Sequence, residues 1–279
     1  MLTTILLALA SHAAPAAEIA PDFELRAALS LERLGVQADL RPGLRMGLWR
    51  QPGSLLFDDP YAKLQAQVFV TPAYVRAGPR LVVEPLAIFQ LQVFANYDLY
   101  FGNFQTVVGY GEASADYGDN DAIEDYVAMD PDRQDRGSGW HWGVSPTLKA
   151  QAGPMVIVAN AEYTDWRLKA DVPGGYTFER EYELLMGFDD QLIATNGLLL
   201  YDFEPWDGAT MRVGNLTTWR MALGDTEDQL LRTGLAVAAS LKDGQVNPTL
   251  VVQAYLRDRA YTAPFPPFIG LMMRWSPTS

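Results

Sequence analysis

From Leu81 to Phe101 every odd position is apolar or aromatic, while the even positions include Glu84, Gln90, Gln92, Asn96 and Asp98. A period of two puts one of these sets on each face of an extended strand. A helix would scatter the polar residues around its axis, and Pro85 would break it. The same alternation recurs along the chain. Phe23, Leu25, Ala27, Leu29 and Leu31 alternate with Glu24, Arg26, Ser30 and Glu32, and further runs cover 35–50, 62–76, 139–152, 154–168, 190–204, 209–223, 229–241, 247–259 and 265–275. With 23–33 and 81–102 this makes eleven runs, bounded by turn chemistry such as Ala77-Gly78-Pro79, Gly153-Pro154, Asp207-Gly208 and Lys242-Asp243-Gly244.

Runs of this length exceed the five or six residues of an ordinary sandwich strand. Fifteen residues at ~3.3 Å each, tilted by about 40°, rise roughly 38 Å, more than the ~25 Å apolar band of a transmembrane barrel. In a barrel wall the apolar face meets hydrocarbon and the polar face a hydrated lumen.

Composition narrows the remaining classes. The net charge of -13 argues against a nucleic-acid partner. The chain has no cysteine, so stability must come from ladders and burial rather than disulfides. Residues 1–16 read as a signal peptide, with an apolar stretch from Leu2 to Ala10 and Ala14-Pro15-Ala16 as an A-x-A cleavage site. Residues 17–279 then form a single barrel domain. Beyond the leader no uncharged run of 18 residues occurs, which excludes a second helical span.

On this pattern the chain resembles Gram-negative outer-membrane β-barrel proteins. The C-terminus carries the most specific part of the likeness. Ile269, Leu271, Met273 and Trp275 alternate toward a final aromatic, and Ser276 to Ser279 follow where most relatives stop. The resemblance implies that this segment is the signal read by the barrel-assembly machinery. It also implies an antiparallel up-and-down barrel surrounded by outer-membrane lipid and lipopolysaccharide. Trp49, Tyr97, Tyr100, Trp140, Trp142, Tyr163, Trp166, Trp206, Trp219, Tyr261 and Trp275 would supply its interfacial girdles.

Closure with both termini in the periplasm needs an even strand number. Eleven runs therefore leave two solutions. Either 23–33 is not a full wall strand, giving ten, or 176–187 joins the wall, giving twelve; the expectation is twelve. Gly-Pro turns at 78–79 and 153–154 then fall on the periplasmic side, and 103–138 and 169–189 are the long external loops.

Candidate lumen-lining residues are Arg41, Arg45, Lys63, Glu84, Gln90, Gln92, Asn96, Lys149, Arg212, Arg220 and Arg257. These charges either line a narrow aqueous path or pair across the barrel and plug it, with Glu84 opposite an arginine as one example. Loop residues 111–136 hold nine acids against Arg133 and Arg136. Asp119, Asp121 and Glu124 are candidate Ca²⁺ ligands there, but the spacing lacks the glycine of an EF-hand loop, so the reading is a solvated loop with no metal site.

Catalysis would have to use His141, since the only other histidine, His12, lies in the leader. The barrel lipases place Ser two residues after His and the omptin proteases place Asp two before; here those positions are Gly143 and Gly139. Ser145 shares the face of His141 but lies about 13 Å along an extended strand. The expectation is therefore no enzyme, no catalytic residue and no cofactor, with His141 at an interface or in a loop. Three functions stay open: a narrow channel for ions or small polar solutes, a non-conducting barrel displaying acidic loops, and a soluble secreted β-barrel or sandwich. Solute and oligomeric state are not written in the pattern.

Overall fold

The computed structural model describes residues 18–277 apart from 32–34, 50, 52, 58, 208, 242–243 and 261–266. The expected leader at 1–16 and Tyr261 lie outside the described residues. In chain order the strands are β1 (Ile19–Ser30), β2 (Gly35–Gly47), β3 (Tyr61–Val70), β4 (Tyr74–Leu86), β5 (Phe89–Tyr100), β6 (Gly109–Tyr110), β7 (Gly137–Ala152), β8 (Met155–Ala170), β9 (Tyr176–Glu179), β10 (Leu184–Gly187), β11 (Asp189–Trp206), β12 (Ala209–Ala222), β13 (Gln229–Leu241), β14 (Val246–Arg257) and β15 (Phe268–Trp275). One helix, α1 (Asn120–Met129), lies in the segment between β5 and β7.

Twelve of these strands close into an antiparallel barrel in which each is hydrogen-bonded to its neighbour in sequence. Closure joins β1 to β15, from Leu25 opposite Trp275 to Ser30 opposite Gly270. The remaining three form a separate small sheet in the order β10-β9-β6.

The strand number agrees with expectation but its origin does not. The N-terminal run is a full wall strand, and 176–187 stays out of the wall. The missing strand comes from residues 61–100, which the alternation divides in two and the structure divides in three. The chain reverses at 71–73, where the Thr71 hydroxyl accepts from the amides of Ala73 (3.1 Å) and Tyr74 (3.0 Å). It reverses again at Ala87-Ile88, with Leu86 opposite Phe89. Gly78 and Pro79, read as a turn, sit inside β4 opposite β3. Gly78 is needed for close approach, since a Cβ there would come within 2.0 Å of the Ala95 carbonyl oxygen.

A register shift in β4 explains why the Leu81–Phe101 stretch looks continuous. The two-residue reversal alone sets an even position opposite an odd one, Leu86 with Phe89, and the bulge between Val83 and Leu86 restores even opposite even, so Arg80 pairs with Phe94 and Val82 with Gln92. Neither Ala87 nor Ile88 is a turn residue by type. The strands that these reversals define, β3, β4 and β5, are 10 to 13 residues long, while β7, β8 and β11 reach 16, 16 and 18. A twelve-residue strand tilted by about 40° rises roughly 30 Å, closer to the ~25 Å apolar band.

The start of β1, the end of β15 and the two-residue turns at 87–88 and 153–154 lie at one end of the barrel. The segments 101–136 and 171–188 lie at the other. The outer wall at the long-loop end carries Tyr97 against Trp140 (4.8 Å between centroids) and Trp142 against Tyr163 (5.9 Å). At the opposite end Trp275 meets Phe23 edge-on. Tyr100 and Trp166 correct the girdle expectation: both are buried inside, in an apolar cluster with Leu184, Met186 and Leu192.

Candidate functional site

The interior of the wall holds fixed charge pairs within and between strands. Lys63 on β3 binds Asp22 on β1 at 2.6 Å, and Gln65 donates to the other oxygen of Asp22 at 2.7 Å. Arg41 contacts Asp39 and, at 3.2 Å, Glu24, which also accepts from Arg26 at 2.6 Å. Glu84 takes Lys149 at 2.7 Å, with Tyr61 and Gln90 donating at 3.0 and 3.1 Å, so its partner is a lysine rather than the arginine anticipated. Arg45 pairs with Asp59 in the β2–β3 loop, and Arg212 with Asp202. Gln92 accepts from Arg80. Arg257, the last residue of β14, is exposed and outside this set. Arg41–Glu24, Arg212–Asp202 and Arg80–Gln92 reach across one ladder, Lys63–Asp22 and Lys149–Glu84 reach over an intervening strand, and Arg41–Asp39 and Arg26–Glu24 join inward positions two apart on one strand.

Segment 171–188 folds into the barrel. Strands β9 and β10 pair from Glu179 opposite Leu184 to Tyr176 opposite Gly187. The tip between them, Arg180 to Glu183, touches the wall on opposite sides. Glu181 pairs with Arg76 of β4, and its carbonyl accepts from Arg220 of β12 at 2.7 Å. Glu183 accepts from Arg232 of β13 at 2.6 Å and from the Tyr255 hydroxyl of β14 at 3.0 Å. The Tyr182 hydroxyl donates to Glu162 of β8 at 3.0 Å. A segment that reaches β4, β8, β12, β13 and β14 at once can only lie in the lumen. Glu183 holds φ +56, a left-handed conformation that costs a non-glycine residue roughly 1 kcal/mol and that its buried contacts maintain.

Above the tip, β6, β9, β10 and α1 share an apolar core containing Val108, Tyr110, Tyr117, Ile123, Phe178 and Leu185. Asp228 and Arg259 tie this cap to the barrel rim. Asp228 accepts from the Leu185 amide at 2.7 Å and the Tyr117 hydroxyl at 3.3 Å, and Arg259 bonds the carbonyls of Ala113, Ala115 and Thr226. The acidic segment is therefore part of a structured cap, with α1 a helix the alternation did not reveal. Asp119 is its N-cap, accepting from the Ala122 amide at 3.0 Å, a helix-start signal present in the sequence. Asp121 lies in the first turn and Glu124 is exposed. No group of three or more acidic or histidine side chains is arranged to hold a metal ion among the described residues.

Glu179 is fully buried beneath the tip. Burial, with the charge of Glu181 next to it, raises its carboxyl from 4.5 to about 7, against the attraction of Arg76. Its oxygens accept from the amides of Glu181 (2.6 Å) and Tyr182 (2.9 Å), and the Tyr100 hydroxyl lies at 3.5 Å. The seated hairpin binds this proton more tightly than a released one. The resulting stabilisation is complete below the ordinary carboxyl value and lost as pH rises through about 7. Tryptic cleavage after Arg180 in the folded barrel should accordingly be faster at pH 8 than at pH 6, once corrected with an unfolded peptide of residues 171–188. An unchanged or reversed ratio would contradict the assignment.

His141 corrects another expectation: it faces the lumen and is only 2 % exposed. Its Nδ1 is 2.7 Å from Asp98 Oδ2, and Asp98 also accepts from Arg76 Nε at 2.6 Å. On the other side Asn96 Nδ2 lies 3.2 Å from His141 Nε2. The Asp–His pair thus exists, diagonally across adjacent strands rather than at the local spacing tested in the sequence; alternation shows that Asp98 and His141 are both inward but not that register, with His141 opposite Asn96, brings them together. Among the described residues no hydroxyl is hydrogen-bonded to His141: Asn96 lies at Nε2, and the Ser145 hydroxyl accepts from Asn160 at 2.8 Å. Position 143 is glycine because the Phe94 ring lies over it, and a Cβ would come within 2.5 Å of that ring.

Beneath the tip lies a cavity of about 420 Å³, reaching from Glu181 and Tyr182 to Gln90 near the short-turn end. Inside this polar space Asn96 and His141 are buried, whereas Leu64, Val93, Leu199, Leu235 and Leu271 on the outer wall are 41–60 % exposed. A closed sheet that is polar within and apolar without has hydrocarbon as its outer solvent. The chain has the fold of an outer-membrane β-barrel protein. No protein-family model matches it, and no curated protein does. Among solved structures the barrel is similar to the β domain of the Bordetella autotransporter BrkA, at 13 % identity over 92 % of this chain and 98 % of that one, with a TM-score of 0.49. It is also similar to the KdgM porin, solved in complex with disordered oligogalacturonate, at 6 % identity over 91 % and 98 % of the two chains and a TM-score of 0.41. A third is an outer-membrane channel from Pseudomonas putida F1, at 10 % identity, 96 % and 98 % coverage and a TM-score of 0.38.

Proposed function

We propose that this barrel resides in the outer membrane of a Gram-negative cell and is a narrow channel for ions or small polar solutes, obstructed by the hairpin of 176–187. The single observation that carries this reading is the hairpin tip, held inside the lumen by Arg76, Arg220 and Arg232 above a polar cavity. The wall alone would leave a polar path, and the tip divides it. Both earlier alternatives, a path and a plug, are combined here in different parts of one lumen.

In this reading residues 1–16 direct export and are removed, and Ile269, Leu271, Met273 and Trp275 on the exposed face of β15 are offered to the assembly machinery. Lipid and lipopolysaccharide surround the wall, with the short turns in the periplasm and the cap outside. The role is non-enzymatic and needs no cofactor. Purified protein in a planar bilayer should give discrete conductance steps, small because of the tip. A bilayer silent at every applied voltage would overturn the channel.

The alternative of a non-conducting display barrel has one observation in its favour. The cap has its own apolar core and presents an acidic helix, α1, whose outer face is exposed. It predicts that excising 111–136 abolishes binding of an external partner.

A further inference from the structure

The cavity lining contains four arginines, and three are neutralised locally. Arg26 has Glu24, Arg41 has Asp39 and Glu24, and Arg76 has Asp98 and Glu181. Arg80 has no carboxylate within hydrogen-bond or ion-pair distance among the described residues. It donates to the Gln92 carbonyl oxygen, its buried Nε has no partner, and the charges that bear most on it are those of Arg41 and Arg26. Glu162 is the converse: it accepts from the hydroxyls of Tyr182 (3.0 Å) and Thr164 (3.3 Å) but pairs with no cation among the described residues. Both Arg80 and Glu162 line the cavity. The Arg80 charge acts on Glu162 across this shared polar space, but the two do not touch, and a solute charged at both ends would bridge them.

Register places them. Arg80 is opposite Phe94, Phe94 opposite Gly143, and Gly143 opposite Thr164, so Glu162 lies one inward position further along β8. Three strand spacings of ~4.8 Å separate their backbones by roughly 14 Å along the wall, a gap that two long side chains pointing inward partly close. The floor between them is the Phe94 ring, lying over Gly143. A solute with a carboxylate at one end, an ammonium at the other and methylenes between would match all three features. A simple anion would satisfy Arg80 and be repelled by Glu162, and a simple cation would meet the reverse.

We propose that the lumen cavity binds a small ω-amino acid, with its carboxylate on Arg80, its ammonium on Glu162 and its methylene chain on Phe94. The site requires the cavity but not passage through the barrel, so a silent bilayer would remove the channel reading and leave this one standing. The test uses the full chain in detergent micelles and equilibrium dialysis with labelled 4-aminobutyrate, butyrate and butylamine. 4-Aminobutyrate should bind at least tenfold more tightly than either half-molecule, and Arg80→Gln or Glu162→Gln should each abolish that advantage. Arg80→Lys should retain part of it. Equal binding of butyrate, equal binding of butylamine, or absence of any 4-aminobutyrate binding would overturn the proposal, as would a folded Arg80→Gln variant binding like the parent. If a variant fails to fold, the comparison of the three probes on the parent protein decides by itself.

Discussion

Replacing Glu181 and Glu183 together by glutamine is expected to raise single-channel conductance several-fold and to lengthen open times. Glu183 is the stronger anchor. It and Arg232 are each about 5 % exposed, and the pair is supported by Tyr255 and by Arg220 at 3.6 Å. Breaking such a buried pair by removing one charge costs roughly 3–5 kcal/mol, because the remaining arginine is left uncompensated. Glu181 is partly exposed and contributes less, after screening by water in the lumen. A released tip makes neither contact, so nearly the whole loss falls on the seated state, and each 1.4 kcal/mol moves the population tenfold. The apolar face of β10, with Leu184 and Met186 fully buried, is untouched, so the tip loosens while the cap stays in place. Glu112→Gln, in the exposed part of the cap, is the control and should leave the current unchanged. A folded double variant conducting like the parent would remove the hairpin from any gating role.

The second large effect lies on the opposite face of the wall. Val93→Arg, near the middle of β5 and pointing outward, should destabilise the barrel by about 2–4 kcal/mol in urea unfolding from lipid vesicles. Gln90→Arg, two inward residues on the same strand and facing Glu84, should cost under about 1 kcal/mol. In a water-soluble protein an exposed valine exchanged for arginine would normally stay within about 0.5 kcal/mol. The sign and size of this one difference therefore separate hydrocarbon from water as the outer solvent.

How far the sequence could be read depends on which contacts are local in the chain. Period-two alternation reports a strand's two faces because it needs only neighbouring residues. It placed Leu91 and Val93 outside and Gln92 and Asn96 inside, as the closed barrel has them. It failed at Ala87-Ile88, where a β-bulge beside the two-residue reversal restored the pattern, and at Gly78-Pro79, where turn residues serve a crowded strand instead. His141 was legible as polar and singular, but its partner Asp98 lies 43 residues away and is found only through register. Arg180 to Glu183 carried no signal of their destination, since a charged loop tip reads as solvated in either place.

By itself, then, the order of residues determined the fold class and the apolar exterior, both consequences of alternation. Only the tertiary structure decided where the twelfth wall strand comes from, which loop enters the lumen, which charges neutralise one another and which two share the cavity without touching. Those outcomes rest on pairs such as Arg76 with Glu181, 105 residues apart, whose meeting is set by barrel closure and strand register rather than by any periodicity along the chain.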